Sequence, residues 1–319
     1  MLNSFYYKIR PFIPRHCQIA FRRIWIRYRR RNFAHVWPID ENVSGPPEGW
    51  SGWPGGKRFA LVLTHDVDTA RGQDRCMRLM NLDRALGFRA SFNFVAEQYT
   101  NHAGLFNAIR EGGCEIGLHG LQHHNNMFRT YASFMAQVPR INKYLTDWDA
   151  VGFRAPCMYH NLEWSHKLNI EYDASTFDTD PFEPQPDGVG TIFPFWVAGK
   201  GENGGYVELP YTLPQDFTLF ILLQEKDIEI WKRKLEWIVA RGGMALLVTH
   251  PDYMGFDGEK CGFEEYPADY YAGLLSYIKN RYRDQYWNPV PQEIARYWRD
   301  NRVEQSSDQQ VMLNRGAGS

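Results

Sequence analysis

The chain has 319 residues, 44% hydrophobic and 23% charged, a globular composition with ample material for a core. A net charge of -1 gives the whole molecule no electrostatic ground for binding nucleic acid. The five cysteines (Cys17, Cys76, Cys114, Cys157 and Cys261) are odd in number and form no CxxC pair. That suggests neither a zinc ribbon nor a disulfide framework, and predicts mostly buried free thiols in a reducing compartment.

The N-terminal stretch breaks the charge balance. No acidic residue precedes Asp40, whereas Lys8, Arg10, Arg15, Arg22, Arg23, Arg27, Arg29, Arg30 and Arg31 are cationic. Phe21, Ile24, Trp25 and Tyr28 fall at i, i+3, i+4, i+7, so this arm predicts an amphipathic helix lying on an anionic membrane surface. An RNA-binding arm and a helix packed on the domain are the other readings. Arginines interrupt every candidate signal-peptide core, and no apolar run is long enough to span a bilayer. The expectation is a cytoplasmic protein, peripheral at the inner face of the membrane. Three regions follow: a basic aromatic arm (1–45), a catalytic domain (46–300) and a polar, disordered tail (301–319).

From residue 59 onward, short β-rich runs alternate with helix-length segments. The predicted strands are 59–64, 90–95, 114–119, 151–155, 171–175, 206–212 and 244–250. Helical patterns at 74–86 and 227–240 stop at Gly87 and at Gly242 and Gly243. Strands alternating with helices imply parallel pairing, and seven of them favour an α/β barrel over an open sheet. Residues 38–58 read as a Pro/Gly/Trp-rich lead-in, and 176–205 as one long loop, a length that is often functional.

Polar residues recur where these strands end, the place where parallel α/β folds build their sites. "THDVD" places His65, Asp66 and Asp68 after the first strand, "GLHGLQHHN" places His119 and His123 after the third, "GFRAP" places Arg154 after the fourth, and "LLVTHPDY" places His250 after the seventh. Two histidines four apart on a helical turn share a face and can bind one cation. With one aspartate they form a two-His, one-carboxylate set with open positions for water and substrate. The second aspartate could deprotonate that water without ligating. Taken singly, Asp-x-Asp is as well a turn or cap, Arg154 an ion-pair partner and His250 a core histidine; their common position at strand ends favours a site.

In this order, THDVD, H-x-x-x-H, R-x-P and L-x-x-H resemble the polysaccharide deacetylase family (carbohydrate esterase family 4, the NodB-homology domain) over about residues 59–252. The resemblance implies a distorted (β/α)7 barrel, a divalent metal, usually zinc, and hydrolysis of an N-acyl or O-acyl group on a sugar. It implies His119 and His123 as metal ligands, with Asp66 and Asp68 dividing the roles of base and ligand. Family order makes Asp68 the ligand and Asp66 the base. The resemblance further implies that Arg154 orients the catalytic aspartate and that His250 protonates the leaving nitrogen. Val67 separates aspartates that are adjacent in many members. Gly120 stands where a hydroxyl residue is usual, and Cys157 and Met158 stand where an aromatic and a glycine are common. The Cys157 amide is the oxyanion donor in this reading. The carboxylate that tunes His250 stays open among Asp173, Asp178 and Asp180, and His124 is an alternative to His123.

"DVDTARG" with "GLHGLQHH" is also similar to a deformylase branch acting on an undecaprenyl-phosphate-linked aminosugar. The expectation is therefore a metal-dependent deacetylase or deformylase of an aminosugar in a glycan precursor or lipid-linked saccharide. Its rivals are a C–N hydrolase of a small amide or ureide on the same scaffold, and a catalytically silent scaffold in glycan assembly.

Overall fold

The computed structural model describes residues 14–124, 126–199, 204–258 and 260–301. The predicted tail beyond Asn301 and the first thirteen residues of the arm lie outside the described residues.

All seven predicted strands are present: β1 (Phe59–Val67), β2 (Ser91–Phe94), β3 (Glu115–Leu118), β4 (Gly152–Phe153), β5 (Tyr172–Asp173), β7 (Gly205–Glu208) and β8 (Met244–Thr249). Their pairing is parallel in the order β8-β1-β2-β3-β4-β5-β7. The ring closes where the chain beyond β7 reaches β8, with Leu213 bridging Leu247. Thr212 mends that seam: its hydroxyl donates to the Met244 carbonyl at 2.7 Å and accepts the Leu246 N–H at 3.0 Å. The result is a distorted (β/α)7 barrel. Every residue of β1 is buried, as a strand covered on both faces must be.

Helices α2 (Ala70–Leu86), α3 (Ala103–Glu111), α4 (Val138–Asp147) and α5 (Glu229–Arg241) run between strands, and α6 (Ala268–Arg281) and α7 (Pro291–Asp300) follow them. α2 and α5 end at Gly87 and Gly242 as predicted. α2 starts a turn earlier than the apolar period suggests, directly after Thr69, which ties its first turn to the end of β1. The tryptophans of the lead-in plug the N-terminal end of the barrel: Trp53 Nε1 donates to Gly242 O at 2.7 Å, and Trp50 packs on Trp298 of α7 at 4.6 Å between ring centres.

One expectation needs correction. Residues 176–205 are not wholly loop, because Phe195–Ala198 form β6, antiparallel to β7. Its aromatic and β-branched residues suit a strand, but the Pro/Asp/Gly-rich surroundings hide them.

The N-terminal helix α1 (Arg15–Arg30) packs on the barrel through Ile19 and Ile26, which are 3% and 1% exposed. Arg23 donates to the carbonyls of Ile221 and Phe263, each at 2.7 Å. The predicted stripe faces away from the core, with Phe21 58%, Ile24 68%, Trp25 40% and Tyr28 78% exposed. Among the described residues no helix is long and apolar enough to cross a membrane.

Candidate active site

The alternation of β1 sorts its polar end. Thr64 and Asp66 point into the barrel, where the Arg154 Nη1 donates to both, at 2.7 Å and 3.0 Å. His65 points outward beneath the helices, its Nδ1 2.7 Å from Thr249 Oγ1 and its Nε2 3.0 Å from Asp83 Oδ2 of α2. His65 is therefore structural, a fully buried histidine whose two ring nitrogens are both partnered.

Asp68, one residue past β1, stands at the barrel mouth. Its Oδ1 is 3.5 Å from His119 Nε2 and 3.4 Å from His123 Nε2, and Asp66 Oδ2 lies further off, 4.0 Å from His119 Nε2. The three donors of Asp68, His119 and His123 all lie within 4.8 Å of one another. Neighbouring donors about 2.0–2.1 Å from a tetrahedral zinc lie roughly 3.4 Å apart, so the set fits a divalent ion. Two further observations support the fit. Asp68 Oδ1 is buried without a hydrogen-bond partner. His119 Nδ1 is 3.0 Å from the Arg154 carbonyl, and because a carbonyl only accepts, that nitrogen is the donor and Nε2 is the atom turned toward Asp68.

The histidines do not meet as a helical pair. The chain is irregular at 119–120 and bends over 121–124, so α-helical spacing is not what brings them together. Gly120 turns the chain at φ +67°, and a Cβ there would lie 2.8 Å from the Pro156 ring carbons. A hydroxyl residue at this position would meet both strain and a clash, which accounts for the glycine. Gln98 then clamps the two ligand segments: its Oε1 accepts the His123 N–H at 2.7 Å and its Nε2 donates to the Asp68 carbonyl at 2.9 Å. His124 turns to Gln122 instead of the site.

Electrostatics separates the two aspartates from their surroundings. Burial alone would raise the Asp66 pKa, but Arg154, His119, His250 and the Asn93 amide (2.8 Å) hold it below the ordinary carboxylate range. Burial is likewise outweighed at Asp68 by His123, His119 and His250. His123 itself is lowered, burial prevailing over Asp68, and the neutral form is the one that ligates.

His250 follows β8. Its tuning carboxylate is none of Asp173, Asp178 and Asp180 but Asp216, whose Oδ1 lies 2.7 Å from His250 Nδ1 and whose Oδ2 accepts the His250 N–H at 2.8 Å. Burial opposes protonation, yet Asp216, with Asp68 and Asp66 behind it, pushes the His250 pKa up to about 10. Asp173 is instead bonded by Ser165 and Ser175, Asp178 pairs with Lys234 at 2.5 Å, and Asp180 accepts from Tyr211. Asp216 lies just past the barrel segment that closes on β8, so the strand-end logic that found the other residues reaches it too.

Arg154, the last polar element, is buried, and its Nε donates to Ala174 O at 2.8 Å. The turn after it holds Cys157 and Met158 at φ +58° and +56°. It is anchored through the Ala155 N–H to Ser175 Oγ at 2.8 Å.

The ends of the barrel strands thus gather an Asp-His-His donor set, a carboxylate held below its ordinary range and a histidine held above its own. Residues 55–165 match the family model described as polysaccharide deacetylase. The resemblance carried by the ordered motifs is thereby shown; the matched stretch contains Asp66, Asp68, His119, His123, Arg154 and Cys157. His250 and Asp216 lie beyond it. In structure the chain is similar to a Mycobacterium smegmatis protein described as a polysaccharide deacetylase, with 20% identity over 82% of this chain and 97% of the other, at a TM-score of 0.61. It is also similar to a Pseudomonas aeruginosa PAO1 protein described in the same way (16%, 78% and 93%, 0.58) and to Puue allantoinase (16%, 78% and 93%, 0.61). At these identities the likeness is one of fold. No curated protein matches the chain in sequence.

Proposed function

We propose that this protein is a metal-dependent hydrolase that removes an N-acyl group, acetyl or formyl, from an aminosugar. The observation that carries the reading is the Asp68–His119–His123 donor set with Asp66 on one side and the raised-pKa His250 on the other. A zinc-like ion at those donors would polarise the acyl carbonyl and favour deprotonation of the attacking water. Asp66, kept ionised by Arg154 and Asn93, takes the water proton as oxygen attacks the carbonyl carbon. In this reading the backbone N–H of Cys157, in the turn that begins at Pro156, would donate to the developing oxyanion. The C–N bond then breaks, His250 delivers its proton to the nitrogen, and the products are a carboxylate and a free amine.

The substrate we infer is a glycan precursor or lipid-linked saccharide met at the cytoplasmic face of a membrane. Its support is the outward stripe of Phe21, Ile24, Trp25 and Tyr28 on a helix whose charged residues are all basic. The two rivals give different outcomes in one experiment, which pairs metal analysis with assays of acetate and formate release from acylated aminosugars. Release supports the proposal. Hydrolysis of ureides or simple amides in preference to aminosugars would favour the second reading, to which the fold likeness to an allantoinase lends support. Full metal occupancy with no hydrolysis of either class would favour a silent scaffold.

A further inference from the structure

Asp68 is held on its backbone side by two groups. Asp252 Oδ2 accepts the Asp68 N–H at 3.0 Å, and Gln98 donates to its carbonyl. Gly72 leaves the room for this, since a Cβ there would stand 2.1 Å from Asp252 Oδ2. The carboxylate oxygen turned away from the histidines has a different neighbour. Tyr253 OH lies 3.5 Å from Asp68 Oδ2, the outer limit of a hydrogen bond. The Tyr253 ring is buried between Phe217 (5.1 Å) and His250 (5.2 Å), so its hydroxyl has little freedom to leave.

That hydroxyl is also reached from outside the barrel. Arg15, in the first turn of α1, donates through Nη2 to Tyr253 OH at 3.3 Å, while its Nε is tied to Glu264 at 2.5 Å. Arg22, two turns along, stacks its guanidinium 5.1 Å from the centre of the Phe217 ring, the same ring that packs on Tyr253. A phenol can accept from a guanidinium and donate its own proton at once. The Arg15 bond occupies an oxygen lone pair and polarises the O–H toward Asp68.

We infer that α1 is a working part of the metal centre: Arg15 positions Tyr253, and Tyr253 positions Asp68. The inference rests on the reading of Asp68, His119 and His123 as metal ligands. Both residues act through the ligand and touch neither substrate nor ion. Outer partners of this kind orient a ligating group and typically change metal affinity about 10–100-fold when removed. The consequence is physical coupling: the helix that turns an aromatic stripe outward reaches, from its first turn and through the Tyr253 hydroxyl, the carboxylate that would hold the ion. Whatever seats or displaces α1 then changes how tightly metal is held.

The test is zinc affinity of the full chain, measured by competition with a chromogenic chelator. The proteins compared are the native chain, Tyr253→Phe, Arg15→Gln, Arg15→Lys, the Tyr253→Phe/Arg15→Gln double variant and His119→Ala. Tyr253→Phe should weaken zinc binding by about 10-fold or more, and Arg15→Gln by a few-fold. Arg15→Lys should recover part of the loss. On the Tyr253→Phe background, Arg15→Gln should add nothing, because its effect runs through the hydroxyl. Melting of the metal-free proteins separates these effects from a fold defect, since only a structural role would lower all the melting temperatures alike. Native-like zinc affinity in Tyr253→Phe overturns the inference, and so do additive losses in the double variant. If the native chain and His119→Ala bind zinc equally, the metal reading itself has failed and takes this inference with it.

Discussion

Asp216 grips His250 at two points, Oδ1 at 2.7 Å from Nδ1 and Oδ2 accepting the backbone N–H at 2.8 Å, while Tyr266 OH donates to the same Oδ2 at 2.9 Å. The imidazole is thus fixed in orientation with Nε2 facing the site, and its proton is stabilised by a carboxylate that is itself fully bonded. Asp216→Asn keeps the shape but removes the charge that raises His250 toward about 10. Loss of a stabilising anion lowers the histidine pKa, so the acid form disappears at a lower pH. The alkaline limb of the kcat/KM profile should move down by about a unit or more, with activity at pH 9 falling further than at pH 6. An alkaline limb that stays in place would remove Asp216 from the tuning role.

Asp66→Asn should retain metal and lose activity by about 10²–10⁴-fold, because an amide cannot take the water proton. Arg154 keeps its bonds to Thr64 Oγ1 and Ala174 O in this variant, so the barrel wall has remaining support. If Asp66→Asn loses metal while Asp68→Asn retains it, the two aspartates have the reverse roles.

His119→Ala and His123→Ala should each abolish tight metal binding, since two remaining ligands rarely hold zinc, whereas His124→Ala should bind as the native chain does. Metal content after gel filtration reads this directly. Full occupancy in the His119→Ala/His123→Ala double variant would sink the ligand set.

Much of this centre is legible in the sequence because a parallel barrel brings the carboxyl ends of its strands to one face, and chain order alone predicts which residues collect there. Asp66, Asp68, His119, His123, Arg154 and His250 follow from that regularity. The ligand pair meets for a reason the spacing does not contain: Gly120 and Pro156 shape a bend where i, i+4 suggests a helix. Asp216 is harder to see because "PQDFTLFILL" reads as the start of an apolar segment, and the seam that closes the barrel there rests on an isolated bridge and the Thr212 side chain. The supports from Gln98, Asp252 and Tyr253 join segments far apart in sequence, and pairwise geometry of that kind has no local signature.

Glu115 offers a test at the other end of the barrel. It accepts from Tyr172 OH and from the Gln292 N–H at the start of α7, both at 2.8 Å, and burial raises its pKa from 4.5 to about 7. The folded state therefore keeps a proton that the unfolded chain releases, so this group's contribution to stability is complete below about pH 4.5 and is lost as pH rises through about 7. Glu115→Gln keeps an acceptor and has no proton to lose. Its melting temperature should fall less than that of the native protein between pH 5 and pH 8. Parallel curves for the two proteins would show that Glu115 does not titrate in this range.

The outward face of α1 can be tested without touching its seat. Removing residues 1–35 would expose the core beneath Ile19 and Ile26, so truncation confounds membrane binding with folding. Charge reversal at Arg23 has the same defect, because that side chain bonds two barrel carbonyls. Ile24, Trp25 and Tyr28 are free of this objection, and Arg31 is exposed beyond the helix end. Ile24→Ala and Trp25→Ala should weaken sedimentation with anionic vesicles at both low and high salt, because their share is hydrophobic burial. Arg31→Glu should act mainly at low salt; each cation near such a surface contributes about 1 kcal/mol and is screened within a Debye length. Hydrolysis of a water-soluble acylated aminosugar should be unchanged in Ile24→Ala, which lies away from every residue of the site. If Ile24→Ala combined with Trp25→Ala still sediments with anionic vesicles as the native chain does, the stripe is not a membrane face and the lipid-linked substrate loses its main support.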